Sequence, residues 1–162
     1  MRRVLIIGYG NPLRADDGVG WQAARRLAGL LQDEFVETLS LYQLTPELAE
    51  PISRADLVIF IDASHQGSPA SWKCERLMAN TTAGNSLAHH FTPASLLAYA
   101  QAIFQASPFA LVISVAGESF AYHEQLTPSV ERALPQVIEH VREQIARFQG
   151  KPEEKLCMST PS

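Results

Sequence analysis

Two aspartates occupy positions from which a small α/β sheet could hold a metal ion. Asp17 lies in the glycine-rich stretch Gly8–Gly20, directly after a short apolar run, and Asp62 directly follows a second apolar run, Leu57–Ile61. In open α/β sheets, ligands bind beyond the carboxyl ends of the strands. If the two runs form neighbouring strands, both carboxylates face one crevice. The sequence therefore predicts an acidic site shared by Asp17 and Asp62.

A pair of histidines, His89 and His90, could supply a nitrogen ligand to the same site. The pair stands just before the helix start at Thr92-Pro93, and histidine is the commonest side-chain ligand of zinc, nickel and copper. Two carboxylates and one imidazole leave coordination positions for water or substrate, which is typical of a catalytic or docking site. The local sequence does not decide between a ligand and a surface or capping residue. The remaining histidines, which carry less weight, are His65, His123 and His140.

The glycine-rich stretch invites a nucleotide-binding interpretation, which its residues disfavour. Leu13 stands where the dinucleotide fingerprint G-x-G-x-x-G needs its third glycine, and the stretch contains no Walker lysine. The acidic pair Asp16-Asp17 at the helix start would also repel a pyrophosphate. Helix capping would explain Asp16 but leaves Asp17 unexplained, and a turn-capping role remains an alternative for Asp62.

Other hydrolytic chemistries have less support in the sequence. Ser64 and Ser114 lie outside any G-x-S-x-G motif, and the chain contains no H-E-x-x-H motif, so the serine-hydrolase and zincin patterns are missing. Cys74 and Cys157 stand far apart and form no C-x-x-C motif, which excludes a zinc knuckle or a thioredoxin motif. We also expect no disulfide framework from two cysteines so placed.

The composition excludes several broad classes of protein. With 162 residues, 13 basic and 17 acidic side chains and a formal net charge of −4, the chain has the size of one domain and lacks the basic excess of a nucleic-acid binder. No apolar run approaches the ~20 residues that a membrane-spanning helix needs. The first apolar run is too short for the core of a signal peptide. We therefore expect a cytoplasmic protein that binds neither nucleic acid nor membrane.

Short apolar runs alternate with helical patterns along the chain. Continuous runs of Val, Ile and Phe are typical of strands buried on both faces of a parallel sheet, and Thr-Pro pairs mark helix starts. The alternation predicts a three-layer α/β/α sandwich with a mostly parallel sheet of about five strands. We expect a single domain at 1–149, followed by a flexible tail at 150–162. The predicted strands are Val4–Ile7, Phe35–Leu41, Leu57–Ile61, Trp72–Leu77 and Phe109–Val115, and the predicted helices follow Asp16-Asp17, Thr45-Pro46, Thr92-Pro93 and Thr127-Pro128.

This combination of motifs resembles the hydrogenase maturation endopeptidases, which remove the C-terminal extension from the large-subunit precursor of [NiFe]-hydrogenases. The matching features are the stretch Gly8–Gly20, a strand that ends in Asp62-Ala63, and a histidine before the helix that starts at Pro93. The likeness covers roughly residues 3 to 145, and it includes Gly117-Glu-Ser-Phe and Leu126-Thr-Pro-Ser-Val-Glu.

The resemblance implies a metal-binding set. The family's first acid falls on Asp17, which leaves Asp16 as a helix cap, and the second acid falls on Asp62. The family histidine falls on His89, with His90 as the alternative one residue further along the chain. All three residues of the set are thereby implied to be catalytic as well as metal-binding.

The resemblance also implies a function. We expect an endopeptidase that trims the hydrogenase precursor after nickel insertion, with the nickel carried by the substrate and no tightly bound cofactor of its own. The expected partner is the large-subunit precursor, and the chain is expected to act as a monomer. Gly8 and Gly10 are expected to let the backbone approach the substrate tail closely. A non-catalytic metal-binding chaperone of the same precursor and a nucleotide-binding α/β module are the rival hypotheses.

One segment departs from the family pattern. Several members carry Asp-Gly-Gly after the second strand, whereas this chain has Leu41-Tyr-Gln-Leu-Thr-Pro-Glu-Leu-Ala49. In this respect the chain resembles the branch that processes soluble, NAD(P)-linked bidirectional hydrogenases.

Overall fold

The computed structural model describes residues 1–79 and 91–150, and it confirms the predicted alternation of strands and helices. Short 3-10 helices at Ala15–Gly18 and Pro46–Leu48 precede the first two α-helices. The strands are β1 (Val4–Tyr9), β2 (Val36–Leu41), β3 (Leu57–Ser64), β4 (Trp72–Arg76) and β5 (Phe109–Ala116). The α-helices of the described residues are α1 (Val19–Leu30), α2 (Ala49–Ser53), α3 (Pro93–Phe104) and α4 (Pro128–Gly150).

All of these strands belong to one sheet, in the order β2-β1-β3-β5-β4. β2, β1, β3 and β5 run parallel to one another, and β4 pairs antiparallel with β5 at one edge. The predicted sheet, mostly parallel and with about five strands, is therefore confirmed. Because β1 and β3 are direct neighbours, their carboxyl ends lie side by side.

Each face of the sheet packs against its own helical layer. Along β3, Leu57, Ile59 and Ile61 face a core that α1 and α4 complete. The alternate residues Val58 and Phe60 face a second core, completed by α2 and α3. Burial on both faces explains why this strand is an unbroken apolar run in the sequence. The three-layer α/β/α arrangement is thereby confirmed.

The start of α1 packs directly on the backbone of the two central strands. A Cβ atom added to Gly20 would collide with the carbonyl oxygen of Ile61 and would lie 2.7 Å from that of Tyr9. A Cβ atom added to Gly8 would collide with the carbonyl oxygen of Gly20. The expectation that Gly8 admits the substrate is therefore wrong, because the helix fills the space beside it.

Cys74 corrects another expectation. It lies buried in β4 and is disulfide-bonded, whereas the spacing of the two cysteines predicted no disulfide framework. The expectation was based on the separation of the cysteines in the sequence, and residues far apart in sequence can still meet in the folded chain. Cys157, the other cysteine of the sequence, lies outside the described residues.

The last helix extends slightly beyond the expected end of the domain. α4 includes Gly150, the first residue of the predicted tail, and residues 151–162 lie outside the described part of the chain. In the described ranges, none of the helices combines the length and apolar character needed to cross a membrane.

We predict that Gly20→Ala destabilises the protein by about 1–3 kcal/mol, the usual range for overpacking, because the new methyl group meets backbone atoms that cannot move aside. Gly29→Ala is the matched control, since it lies in the same helix and nothing surrounds its Cβ position within 4 Å. That control should be neutral or slightly stabilising, because alanine favours helix more than glycine does. Urea unfolding of both variants measures the difference, and equal midpoints would contradict the packing argument.

Candidate functional site

The carboxyl ends of β1 and β3 open into a cleft of about 210 Å³, which we call the acidic cleft. Asp17 and Asp62 both line it. The structure thus brings together the two carboxylates that the sequence predicts to share a crevice, because β1 and β3 are hydrogen-bonded neighbours. The other described residues that line the acidic cleft are Tyr9, Gly10, Tyr42, Gln43, Leu44 and Phe91.

Asp62 projects from within β3. The strand continues to Ser64, and Asp62 pairs with Ser114 of β5. The hydroxyl of Tyr9 donates a hydrogen bond of 2.6 Å to Oδ2 of Asp62. This position inside a paired strand argues against the alternative in which Asp62 only caps a turn.

Tyr9 was not predicted from the sequence as a site residue. The parallel register pairs Gly8 with Ile61, so the next residues of the two strands, Tyr9 and Asp62, stand side by side. Side chains alternate along a strand, so Tyr9 shares a face with Leu5 and Ile7, which the second core buries. The alternation was visible in the sequence, but the contact also depends on which strand lies next to β1.

Burial dominates the electrostatics of Asp62. Loss of water around the carboxylate raises the pKa of Asp62 above its ordinary value, and the negative charge of Asp17 raises it further. The hydrogen bond from Tyr9, a backbone hydrogen bond at Ala63 and the charge of His65 act in the opposite direction. Burial, followed by the charge of Asp62, also raises the pKa of Tyr9, so its hydroxyl stays protonated as a donor. The charge of Asp17 thus reaches Asp62 across the cleft.

Asp17 belongs to the 3-10 helix that leads into α1. The backbone N–H of Asn11 donates a hydrogen bond of 2.8 Å to Oδ2 of Asp17. Gly10 has a φ of 141°, and a Cβ atom added there would collide with the carbonyl oxygen of Asp17. A residue with a side chain would be strained in this conformation. Gly10 lines the cleft, and the space that a side chain would need is occupied by the Asp17 backbone. The expected close approach of the substrate tail to Gly10 stays a prediction.

Asp16 is fully buried and does not cap α1. The N-cap of that helix is Gly18, which makes no side-chain capping bond. The Asp16 carboxylate instead accepts hydrogen bonds from the backbone N–H groups of Glu118 and Ser119, and from both the N–H and the hydroxyl of Thr127. The capping role expected for Asp16 is wrong because its partners lie 102 to 111 positions away in the chain.

These bonds fasten the segment 117–127, which precedes α4, to the loop that carries Asp17. Backbone hydrogen bonds strengthen the junction: the N–H of Ala15 donates to the carbonyl of His123 at 2.8 Å, and the N–H of Asp16 donates to that of Ser119 at 3.0 Å. Because the residue next to Asp17 is held by a second segment, the position of Asp17 is restrained as well.

His89 and His90 lie outside the described residues, so the choice between them stays a prediction. The described chain resumes at Phe91, which lines the acidic cleft. Thr92 then caps α3 through a reciprocal capping box with Ser95. The segment that follows the histidine pair is therefore anchored at the cleft.

The other histidines occupy different surroundings. His65 stacks on Phe120 with ring centroids 3.8 Å apart, and Nδ1 of His123 accepts a hydrogen bond from the N–H of Gln125. His140 is buried in α4, and burial lowers its pKa. Within residues 1–79 and 91–150, no group of three or more His, Cys, Asp and Glu side chains could hold a metal ion.

The acidic cleft is suited to a cation. Carboxylate oxygens bind divalent metals, and an imidazole nitrogen would shift the preference towards nickel, copper or zinc. Neither lysine nor arginine is among the described residues of its lining, which disfavours a phosphate-bearing ligand. Two acids are fewer than the three protein ligands typical of a catalytic metal site. A metal that brings its own ligands, or a further residue of this chain, would complete the coordination.

The fold and its two central acids thus define an α/β protein with an acidic cleft at the carboxyl ends of the parallel strands. No protein-family model matches the sequence, and no curated protein matches it. Several solved structures that are similar to this chain carry the names of hydrogenase maturation proteases, and three of them are described below.

The hydrogenase maturating endopeptidase HybD from E. coli is 24% identical over 91% of this chain and 93% of its own, with a TM-score of 0.72. The [NiFe] hydrogenase maturation protease HycI from Thermococcus kodakarensis is 22% identical over 88% and 91%, with a TM-score of 0.71. The hydrogenase 2 maturation peptidase from a Thaumarchaeota archaeon is 23% identical over 90% and 99%, with a TM-score of 0.70. The TM-scores show that these proteins share the fold of this chain.

We predict that Asp16→Asn lowers the free energy of unfolding by about 1–3 kcal/mol, because an amide group presents a donor to buried N–H groups that then lose their acceptor. Asp17→Asn is the matched control, since Asp17 is only half-buried and its amide oxygen could still accept the one bond from Asn11. Urea unfolding should show a clearly smaller change for Asp17→Asn. Equal losses in the two variants would mean that Asp16 does not fasten the two segments.

We predict a pH-dependent gain in stability for Asp62→Asn. The pKa of Asp62 is raised on folding, so the unfolded state releases its proton first and wild-type stability falls as the pH rises through the folded-state pKa. Asparagine cannot ionise, and the variant should therefore be the more stable protein at pH 7. The difference should shrink when the pH falls below the ordinary range of an aspartate. Denaturant unfolding at several pH values tests this, and a constant difference would contradict it.

Proposed function

We propose that this chain is an endopeptidase that removes the C-terminal extension of a [NiFe]-hydrogenase large-subunit precursor after nickel has been inserted. The observation that carries the proposal is the placement of Asp17 and Asp62 in one cleft at the carboxyl ends of β1 and β3. The motif resemblance and the names of the solved proteins with this fold point to the same activity.

The nickel belongs to the substrate in this proposal. Asp17, Asp62 and His89, with His90 as the alternative, engage nickel that the precursor already holds, and the chain keeps no tightly bound cofactor of its own. Carboxylate and imidazole donors suit nickel. An incomplete set of protein ligands fits an ion that arrives with ligands from its own protein. A precursor without nickel would lack the feature that the cleft recognises.

Docking on the nickel aligns the scissile peptide bond with the cleft. The metal polarises the carbonyl or activates a water molecule, and water adds across the peptide bond to give a new carboxylate and a new amine. Positioning supplies much of the rate, since well-oriented intramolecular reactions reach effective molarities of roughly 10⁵–10⁸ M. Asp17 and Asp62 are in this sense the catalytic residues.

The segment after β2 contributes to the choice of partner. Tyr42, Gln43 and Leu44 line the acidic cleft, and they stand in the segment where several family members carry Asp-Gly-Gly. We therefore assign the substrate to the soluble, NAD(P)-linked bidirectional hydrogenases. The proposed enzyme is a cytoplasmic monomer that meets its precursor transiently.

The direct test is incubation of the purified chain with large-subunit precursor, with and without nickel, followed by mass spectrometry. The nickel-loaded precursor should lose its extension, and the nickel-free precursor should stay intact. Asp17→Ala and Asp62→Ala should each abolish trimming, because each removes an oxygen ligand, while circular dichroism shows an intact fold. Asp33→Ala is the matched control and should keep full activity, since Asp33 precedes the amino end of β2 and the cleft lies at the carboxyl ends of the parallel strands.

The possible outcomes separate the hypotheses. Full activity in either cleft variant would reject the assignment of the site, and a precursor that binds without being shortened would indicate a metal-binding chaperone. Thermal stabilisation by a nucleotide would support a nucleotide-binding module instead. Parallel His89→Ala and His90→Ala variants decide the register, and loss of activity in His90→Ala alone would reject His89.

A further inference from the structure

Tyr9 connects the central strand β1 to the acidic cleft. It is the last residue of β1, and it lines the acidic cleft together with Asp62. Its hydroxyl donates the 2.6 Å hydrogen bond to Oδ2 of Asp62. The parallel pairing of Gly8 with Ile61 fixes both residues at the same level of the sheet. The contact therefore follows from the strand register and does not depend on a flexible loop.

The two acids of the cleft are held in corresponding ways. Oδ2 of Asp62 accepts from Tyr9, and Oδ2 of Asp17 accepts from the backbone N–H of Asn11 at 2.8 Å. Both donors come from β1 or the loop that follows it. A donor on one oxygen fixes the rotation of the carboxylate and directs the other oxygen towards a ligand. The two acids differ in that Asp62 has a side-chain hydroxyl as a donor, in addition to a backbone hydrogen bond at Ala63.

We propose that Tyr9 is a positioning residue that holds Oδ2 of Asp62, so that Asp62 engages nickel through Oδ1 alone. This inference rests on the proposed function, because it describes how one acid of that site meets the substrate's metal. Tyr9 acts through Asp62 and does not itself touch the nickel. One-oxygen coordination leaves more positions on the metal for the ligands of the precursor and for water.

A purely structural role makes a different prediction from a positioning role. The ring of Tyr9 packs against the second core, and phenylalanine would keep that packing while it removes only the hydroxyl. If Tyr9 merely supported the fold, its loss would affect every property of the cleft together. If Tyr9 positions Asp62, the loss should be confined to steps that involve the metal.

The test compares Tyr9→Phe with Tyr122→Phe, the matched control. Tyr122 is 82% exposed, and its ring lies under the guanidinium of Arg14, a contact that phenylalanine keeps. Calorimetric titration of each full-length protein with Ni²⁺ alone should show binding to Tyr9→Phe about 10–100-fold weaker than to wild type, the usual effect of losing a partner of a metal ligand. Tyr122→Phe should bind Ni²⁺ as wild type does.

A second measurement separates positioning from structure. Trimming of nickel-loaded precursor by Tyr9→Phe should fall by about the same 10–100-fold, whereas its binding to nickel-free precursor should stay unchanged. Ni²⁺ affinity within twofold of wild type would overturn the inference, and so would an equal loss of binding to nickel-free precursor. If wild type fails to trim the precursor, the proposed function fails, and the Ni²⁺ titration still decides the role of Tyr9.

Discussion

A single buried carboxylate joins the loop of the candidate site to the longest helix of the described fold. Asp16 is inaccessible to water and accepts hydrogen bonds from residues on the segment that leads into α4. A buried charge is costly unless several donors satisfy it, and here backbone N–H groups and the Thr127 hydroxyl do so. The Asp17 loop, the segment 117–127 and the start of α4 must therefore assemble together. The position of Asp17 is therefore fixed by the contacts of that assembly.

The architecture was predictable because its signals are local. Continuous apolar runs indicated strands covered on both faces, and Thr-Pro pairs marked the helix starts that the structure has at Pro46, Pro93 and Pro128. Asp17 and Asp62 were predictable as a pair because each follows or ends an apolar run. That argument needed only the assumption that the two strands are neighbours, which the sheet order bears out.

The remaining features depend on contacts that local sequence does not contain. The role of Asp16 was wrong because its partners stand more than 100 positions away, while an aspartate before a helix ordinarily suggests a cap. Tyr9 was missed because its contact with Asp62 requires the strand order and the register together. Gly8 was misjudged because its neighbour in space, Gly20, belongs to a helix whose distance from the sheet the sequence does not give.

Because β2 lies at the edge of the sheet, the cleft is lined by two kinds of segment: the acids near the central strands and the residues that follow β2. The acids stand on or beside the inner strands β1 and β3, where any shift would disturb the packing on both faces. Tyr42, Gln43 and Leu44 follow the outermost strand and contact the cleft from one side. Sequence change or a change of length in that segment can reshape the entrance without moving either carboxylate. A fold divided in this way can diverge in its choice of partner protein while its chemistry stays constant.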